Sequence, residues 1–445
     1  MWAIESRKGK RATTYQVVWR VAGRRFKKAF KTHALAESFR ATLISGARTG
    51  EAFDTDHGLP LSELRAQRMV SWFDFACQYV DMKWRHAAAK SRAGNADALA
   101  TVTPALLRTT RGRPDLALIR RALTGWAFNT ARRNTERPDD VSAALRWLGA
   151  NTVDMSVVAE PARVRAMLDE LSLKLDGERA AAKTIGRKRA VVHNAFEYAV
   201  ELKLLSANPL SAVKWTLPKA SRAIDKRVVI NPEQARRLLA AVGRQLPSGP
   251  RLVGFFAVMY YGALRPEEAA MLRVGDLKLP AQGWGELMLS ETAPTAGAAW
   301  TDTGRRRDRR QLKQRGHGEV RVVPSPPPLT AILNEHLATH GVGADGRLFR
   351  NLTGGELAES TTGRVWDKAR KAALSTIEYG SPLARRPYDL RHACVSTWLA
   401  NGVPSAQCAA WAGQSVGVLH QVYAAVLADQ ETQARERLAA ALGWH

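Results

Sequence analysis

RPYDLRHACVSTWLANG, residues 386–402, sets Arg391 and His392 side by side where a helix is expected to begin. Asp389 can cap that helix, Cys394, Val395, Trp398 and Leu399 give it a buried face, and Gly402 ends it. The backbone N–H groups of a first helical turn favour an anion, so the basic corner has a ready use. The next pattern, SAQCAAWAG, stops at Gly413 and is followed at once by Gln414. A third short helical pattern leads to a lone tyrosine, Tyr423, within VLHQVYAAVL.

The rest of the chain says what such a corner could meet. With 67 Lys and Arg against 41 Asp and Glu, the 445-residue chain carries a net charge of +26. A field of that sign favours a polyanion, and nucleic acid above all. A hydrophobic fraction of 45% excludes wholesale disorder. Cys77, Cys394 and Cys408 are too few and too scattered for a disulfide framework or a zinc site. The N-terminal stretch lacks the apolar core of a secretory signal, and the longest apolar run, LVGFFAVMYYGAL (252–264), reads as a buried helix too short to span a bilayer. A cytoplasmic chain working on DNA, with no membrane partner, is the expectation.

Residues 1–50 hold twelve Lys or Arg and two Glu. TYQVVWRVAGRRFKKAFKT alternates as a hairpin or small sheet, and HALAESFRATLISGARTG has helical spacing. Arg24, Arg25, Lys27 and Lys28 could lay this sheet in a DNA groove; a basic cap that only packs is the competing reading. EAFDTDHGLPLSE (51–63) reads as a linker. Residues 65–215 are helical in pattern. In AAKTIGRKRAVVHNAFEYAVELK, Ile185, Val192, Phe196, Ala199 and Val200 share a face, while Lys183, Thr184, Arg187 and Lys188 crowd the first turns. These turns either meet phosphates or form a solvated face. A basic connection follows at 216–230, and a last domain at 231–445 opens with Asn231 as N-cap and Pro232 in the first turn. The expected fold is thus multidomain and mainly α with small β-sheets: a sheet-and-helix arm (1–55), a helical domain (65–215) and an α+β domain.

In that last domain Gly262 and Pro266 bracket Arg265, a corner at which a guanidinium can bind a phosphate bidentately, braced by Glu268. GELMLSETAP (285–294) and GEVRVVPSP (318–326) read as two strands of a hairpin. The loop between them is basic, holds Lys313 near its end, and is either a solvated loop or a mobile flap over DNA.

Taken in order, ALRPEEAAMLRVGDL, the basic hairpin, YDLRHACVSTWLANGV and WAGQSVGVLHQVYAAV resemble the boxes of the tyrosine recombinases, the phage-type integrases. The resemblance is strongest over 255–427 and extends in layout to the whole chain. It implies an arm-type DNA-binding domain, a SAM-like core-binding domain and a catalytic domain. It also implies that Tyr423 attacks the scissile phosphate to give a 3′-phosphotyrosine and a free 5′-hydroxyl. Arg265 and Arg391 would hold the non-bridging oxygens, and Lys313 would protonate the leaving 5′-oxygen. No metal or other cofactor is implied. The implied partners are double-stranded attachment sites, three further copies in a homotetramer on two duplexes, and an excisionase or host DNA-bending protein.

Two positions depart from the family pattern. Tyr388 stands where a His or Lys is usual, three residues before the second arginine. A phenol is a poor base at neutral pH but can hydrogen-bond an attacking oxygen. Gln414 stands where His or Trp is usual; it can donate to a phosphate oxygen but cannot shuttle a proton. His392 either supports the site or braces its helix, and His420, one turn before Tyr423, is a further candidate to stand in for the missing histidines. The leading expectation is an integrase of a phage or integrative mobile element. A catalytically silent DNA-binding relic is the alternative from another class, and a type IB topoisomerase-like nicking enzyme shares the chemistry.

Overall fold

The computed structural model describes residues 3–8, 13–63, 70–219, 223–312, 318–428 and 431–443. The chain forms two compact units, one of residues 1–85 and 95–216, the other of 86–94 and 217–445. It is mainly helical, with small antiparallel sheets.

The first unit opens with strands β1 (Ala3–Lys8), β2 (Thr13–Val21) and β3 (Arg24–Phe30), antiparallel in the order β1-β2-β3. Ala22 and Gly23 both take left-handed backbone in the two-residue turn between β2 and β3, which matches the twist of the strands. Helix His33–Arg48, capped by the Thr32 hydroxyl, covers one face. Val17, Trp19, Ala36, Phe39 and Leu43 make the core between them. The stretch at 51–63 is not the linker its composition suggests. Leu59 joins that core, and the Trp19 indole N–H donates to the Gly58 carbonyl. Gly58 is left-handed and faces the Phe26 ring so closely that a Cβ would lie 2.4 Å from it, so only glycine fits.

Helices Trp72–Trp84, Leu116–Ala122, Asp139–Asn151, Pro161–Ser172 and Ala182–Glu201, with the greater part of helix Ala89–Val102, make up most of the rest of this unit. The last of these buries Ile185, Val192, Ala195, Phe196 and Ala199 on one face, as its apolar spacing requires. It ends at Glu201, and Lys203 then turns left-handed.

In the second unit, helix Pro232–Gly243 begins with a capping box between Asn231 and Gln234. Helix Val253–Tyr261 is buried along nearly its whole length. Strands β4 (Leu277–Lys278), β5 (Gly285–Leu289) and β8 (Arg321–Ser325) form one antiparallel sheet in that order. The segment between β5 and β8 makes its own ribbon of β6 (Glu291–Thr292) and β7 (Arg310–Gln311). Up to residue 312 this segment is held in place. The Arg307 guanidinium is buried and donates to the Ala293 and Leu357 carbonyls at 2.8 and 2.7 Å, and Arg309 pairs with Glu291. Helices Pro327–His340, Glu359–Ala373, Asp389–Ala400, Ser405–Ala412, Val416–Ala428 and Glu431–Ala441 complete the unit. Among the described residues no helix is long and apolar enough to cross a membrane.

Candidate active site

Helix Val253–Tyr261 stops at Gly262, and Ala263 turns left-handed, which swings the chain so that Arg265 stands in extended backbone just before helix Pro266–Ala269. Glu268 sits in the first turn of that short helix. Its Oε2 accepts the Arg265 backbone N–H at 2.8 Å, and its Oε1 accepts Arg265 Nη1 at 2.6 Å. The remaining edge of the Arg265 guanidinium donates through Nη2 to the Gly413 carbonyl at 2.7 Å.

Arg391 lies in the first turn of helix Asp389–Ala400 and is 1% exposed. Its Nη1 donates to the Ala263 carbonyl and its Nη2 to the Ala412 carbonyl, the latter at 2.6 Å. Carbonyls at the end of helix Ser405–Ala412 therefore hold both arginines: Ala412 takes Arg391 and Gly413 takes Arg265. Such carbonyls lack partners within the helix and carry its negative dipole end, so cations suit them. Asp389 is fully buried and accepts the Arg386 backbone N–H at 2.8 Å, closing the turn before the helix rather than capping it.

Tyr423 is also 1% exposed. Its hydroxyl lies 3.0 Å from His392 Nδ1, and the Tyr388 and His392 rings meet edge-on with their centres 5.2 Å apart. Burial pushes the Tyr423 phenol up, while Arg391 and then Arg265 pull it the other way. The backbone at Tyr423 is non-helical (φ −108°, ψ 17°) inside helix Val416–Ala428. One residue earlier, the Val422 carbonyl accepts the Ile224 N–H at 2.8 Å.

A third guanidinium, which the sequence reading passed over, completes the cluster. Arg321, at the start of β8, is 2% exposed and reaches Glu268 with both ends of its fork: Nη1 to Oε1 at 3.0 Å and Nη2 to Oε2 at 2.7 Å. Burial alone would raise the Glu268 carboxyl. The charges of Arg321, Arg265 and Arg391 overcome that and bring it down to about 2. Arg391 has no carboxylate partner among the described residues, and burial followed by the nearby Arg265 charge lowers its pKa. One carboxylate thus pairs with two guanidiniums, Arg265 and Arg321, and the third, Arg391, stays without one. A pocket built this way holds surplus positive charge in a poorly solvated place, which is the environment an anion stabilises most.

The structure brings together Tyr423, His392, Tyr388, Arg391, Arg265 and Glu268. Gln414 follows the Gly413 turn, and its Nε2 is buried without a hydrogen-bond partner. His420 is exposed. Lys313 lies outside the described residues. Parity along β8 could have found Arg321: Val323 and Ser325 face inward, so the residue two before Val323 must as well.

The expected DNA-contacting residues all belong to the first unit, and they divide. Lys183 and Arg187 are exposed and Thr184 is half-buried. Lys188 is a correction: it is buried, and its ammonium lies 2.8 Å from the Thr101 hydroxyl and 3.3 Å from the half-buried Asp97, so it pairs with a carboxylate of its own unit instead of facing outward. In the arm, the strand pleat sends Arg25 and Lys27 to the open face of the sheet beside Arg20 and Val18. Arg24 and Lys28 go to the helix side instead, where Lys28 Nζ sits 4.6 Å from the Phe39 ring centre and Arg24 lies 3.8 Å from Asp56.

No family model matches the chain, and no curated protein does. Solved structures to which it is similar include the Tn1549 transposon integrase in complex with circular intermediate DNA, at 16% identity over 69% of this chain and 96% of that one, with a TM-score of 0.49. Another is a lambda integrase tetramer bound to a Holliday junction, at 13% identity over 90% of this chain and 93% of that one, with a TM-score of 0.47. A third is the XerH site-specific recombinase bound to palindromic difH substrate, at 13% identity over 79% and 96% of the two chains, with a TM-score of 0.43.

Proposed function

We propose that this chain is a tyrosine-type site-specific DNA recombinase, an integrase that cuts and rejoins DNA through a 3′-phosphotyrosine as it inserts or removes a phage or other mobile element. The observation that carries the reading is the buried cluster in which Arg265 and Arg321 share the Glu268 carboxylate while Arg391, with no carboxylate of its own among the described residues, stands close by, near the Tyr423 hydroxyl. Arg265 and Arg391 stabilise the charge that builds on the non-bridging oxygens. The Tyr423 hydroxyl gives its proton to His392 Nδ1 as its oxygen bonds to phosphorus; the bond to the 5′-oxygen breaks, and Lys313 supplies that oxygen with a proton. A 5′-hydroxyl from a partner strand then reverses the steps, so the phosphodiester energy is kept in the tyrosyl ester. The unpartnered Gln414 amide offers a further donor to a phosphate oxygen, and Tyr388 supports His392 from the side. The break in helical backbone at Tyr423 gives the buried hydroxyl a pivot on which to meet the DNA. Attachment sites on two duplexes, a homotetramer and an excisionase or DNA-bending protein are the partners this reaction calls for.

The test is a suicide duplex carrying the element's attachment core, which traps the cleaved state. Wild type is expected to form a covalent protein–DNA adduct, and Tyr423→Phe to form none while still binding the duplex. Tight binding without an adduct from either protein overturns the enzymatic reading. It favours instead a silent DNA-binding relic, with Tyr388 and Gln414 as the reason.

A further inference from the structure

We propose that Arg321 is a positioning residue for the anion cradle: it fixes Glu268, and through Glu268 it sets the plane and reach of the Arg265 guanidinium. The inference rests on the reading of Arg265 as a phosphate-holding group.

Each Glu268 oxygen accepts two bonds, one from each arginine. Oε1 takes Arg265 Nη1 and Arg321 Nη1; Oε2 takes the Arg265 backbone N–H and Arg321 Nη2. With both oxygens in use on both sides, the carboxylate cannot rotate without losing a charge-assisted bond. Arg265 shares that carboxylate with its own backbone, so its side chain is held relative to its main chain. Only a guanidinium can make the parallel two-point contact from the far side; an ammonium in the same place is a single point charge.

Stability does not explain this arrangement. Arg321 and Glu268 are each 2% exposed, and a buried ion pair contributes little net stability because both ions lose their water. Arg321 Nε is itself buried without a hydrogen-bond partner, a further cost. Space has also been left for the side chain. Gly413 is left-handed (φ +62°), and a Cβ there would lie 2.0 Å from Arg321 Nη1. The same Gly413 presents its carbonyl to Arg265 Nη2. The turn that follows helix Ser405–Ala412 is thus shaped to admit one arginine and to hold the other. The three contacts tie β8, the Arg265 corner and the turn carrying Gln414 into one unit of geometry.

Inorganic phosphate serves as the probe, and the readout is its affinity for the full-length chain, taken from the phosphate-dependent rise in melting temperature against chloride at equal ionic strength. Four proteins are compared: wild type, Arg265→Ala, Arg321→Lys, and both substitutions together. Arg321→Lys keeps the positive charge but loses the fork. It is expected to weaken phosphate about 10-fold or more, toward the level of Arg265→Ala, and to add nothing when Arg265 is already gone. Wild-type phosphate affinity in Arg321→Lys, or a further independent loss in the double variant, overturns the inference. If Arg321→Lys does not fold, Arg321→Met with Glu268→Gln removes both charges of the buried pair; that protein is expected to bind phosphate as weakly as Arg265→Ala, and wild-type affinity would again overturn the proposal. A failure of the recombinase reading shows separately, as the absence of a Tyr423-dependent adduct on the suicide duplex, while the phosphate cycle still reports on Arg321.

Discussion

His392 is in direct contact with the Tyr423 hydroxyl. From sequence it stood between supporting the site and bracing a helix; its Nδ1 lies 3.0 Å from the Tyr423 hydroxyl, and in the reaction proposed above it takes that proton. His392→Phe is expected to lower the rate of adduct formation on a suicide duplex by about 10²-fold or more while duplex affinity stays within about twofold. Glu268 makes a different prediction. Its carboxyl is held at about 2, below the ordinary 4.5, by Arg321 and its neighbours despite burial. A depressed folded-state pKa stabilises the fold above the unfolded value, and that stability is lost as pH falls. The melting temperature should therefore be insensitive to Glu268 above about pH 5 and fall between about pH 4.5 and 2. Glu268→Gln is expected to flatten that part of the profile while lowering stability at neutral pH, because two buried guanidiniums lose their counter-charge. Lys188 is the instructive failure at this scale. Its neighbours in sequence are basic, and nothing near it in the chain shows that it will pack against the half-buried Asp97.

At the scale of elements, periodic and capping signals carried most of the fold. Asn231 as N-cap with Pro232 behind it, the apolar run at 252–264 and the stop at Gly413 read directly, because each rests on contacts within a few residues. Two features were hidden because their cause lies elsewhere in the chain. The 51–63 stretch has the composition of a linker, yet Trp19 needs the Gly58 carbonyl and the arm's core needs Leu59. Arg321 reads as one more basic residue at the end of a basic loop, and only the inward parity of β8 separates it from its solvated neighbours. Gly413 is where turn and site meet. Gly413→Ala puts a side chain into left-handed backbone and against Arg321, and it is expected to cost about 1–3 kcal/mol in chemical denaturation. By contrast, Ala22 already takes left-handed backbone, in an open turn of the arm. Ala22→Asn is expected to stabilise the arm by about 0.5–1 kcal/mol, read from amide exchange of β2 and β3.

The whole molecule carries a charge of +26. If it grips duplex DNA through several phosphates, its affinity should fall steeply with salt, by about 10³–10⁵ between roughly 50 and 200 mM for 6–10 contacts. Anisotropy titrations over that range would read the slope, and a flat response would argue against a phosphate-tracking interface. The second unit also contains a mechanical arrangement. Ile224 sits in the segment that enters this unit, and its N–H takes the Val422 carbonyl next to the tyrosine whose backbone breaks the helix. The helical backbone breaks at the residue that follows this carbonyl. Ile224 thereby fastens the chain that enters this unit to the peptide just before Tyr423, so the entering segment and the break in the helix share one hydrogen bond.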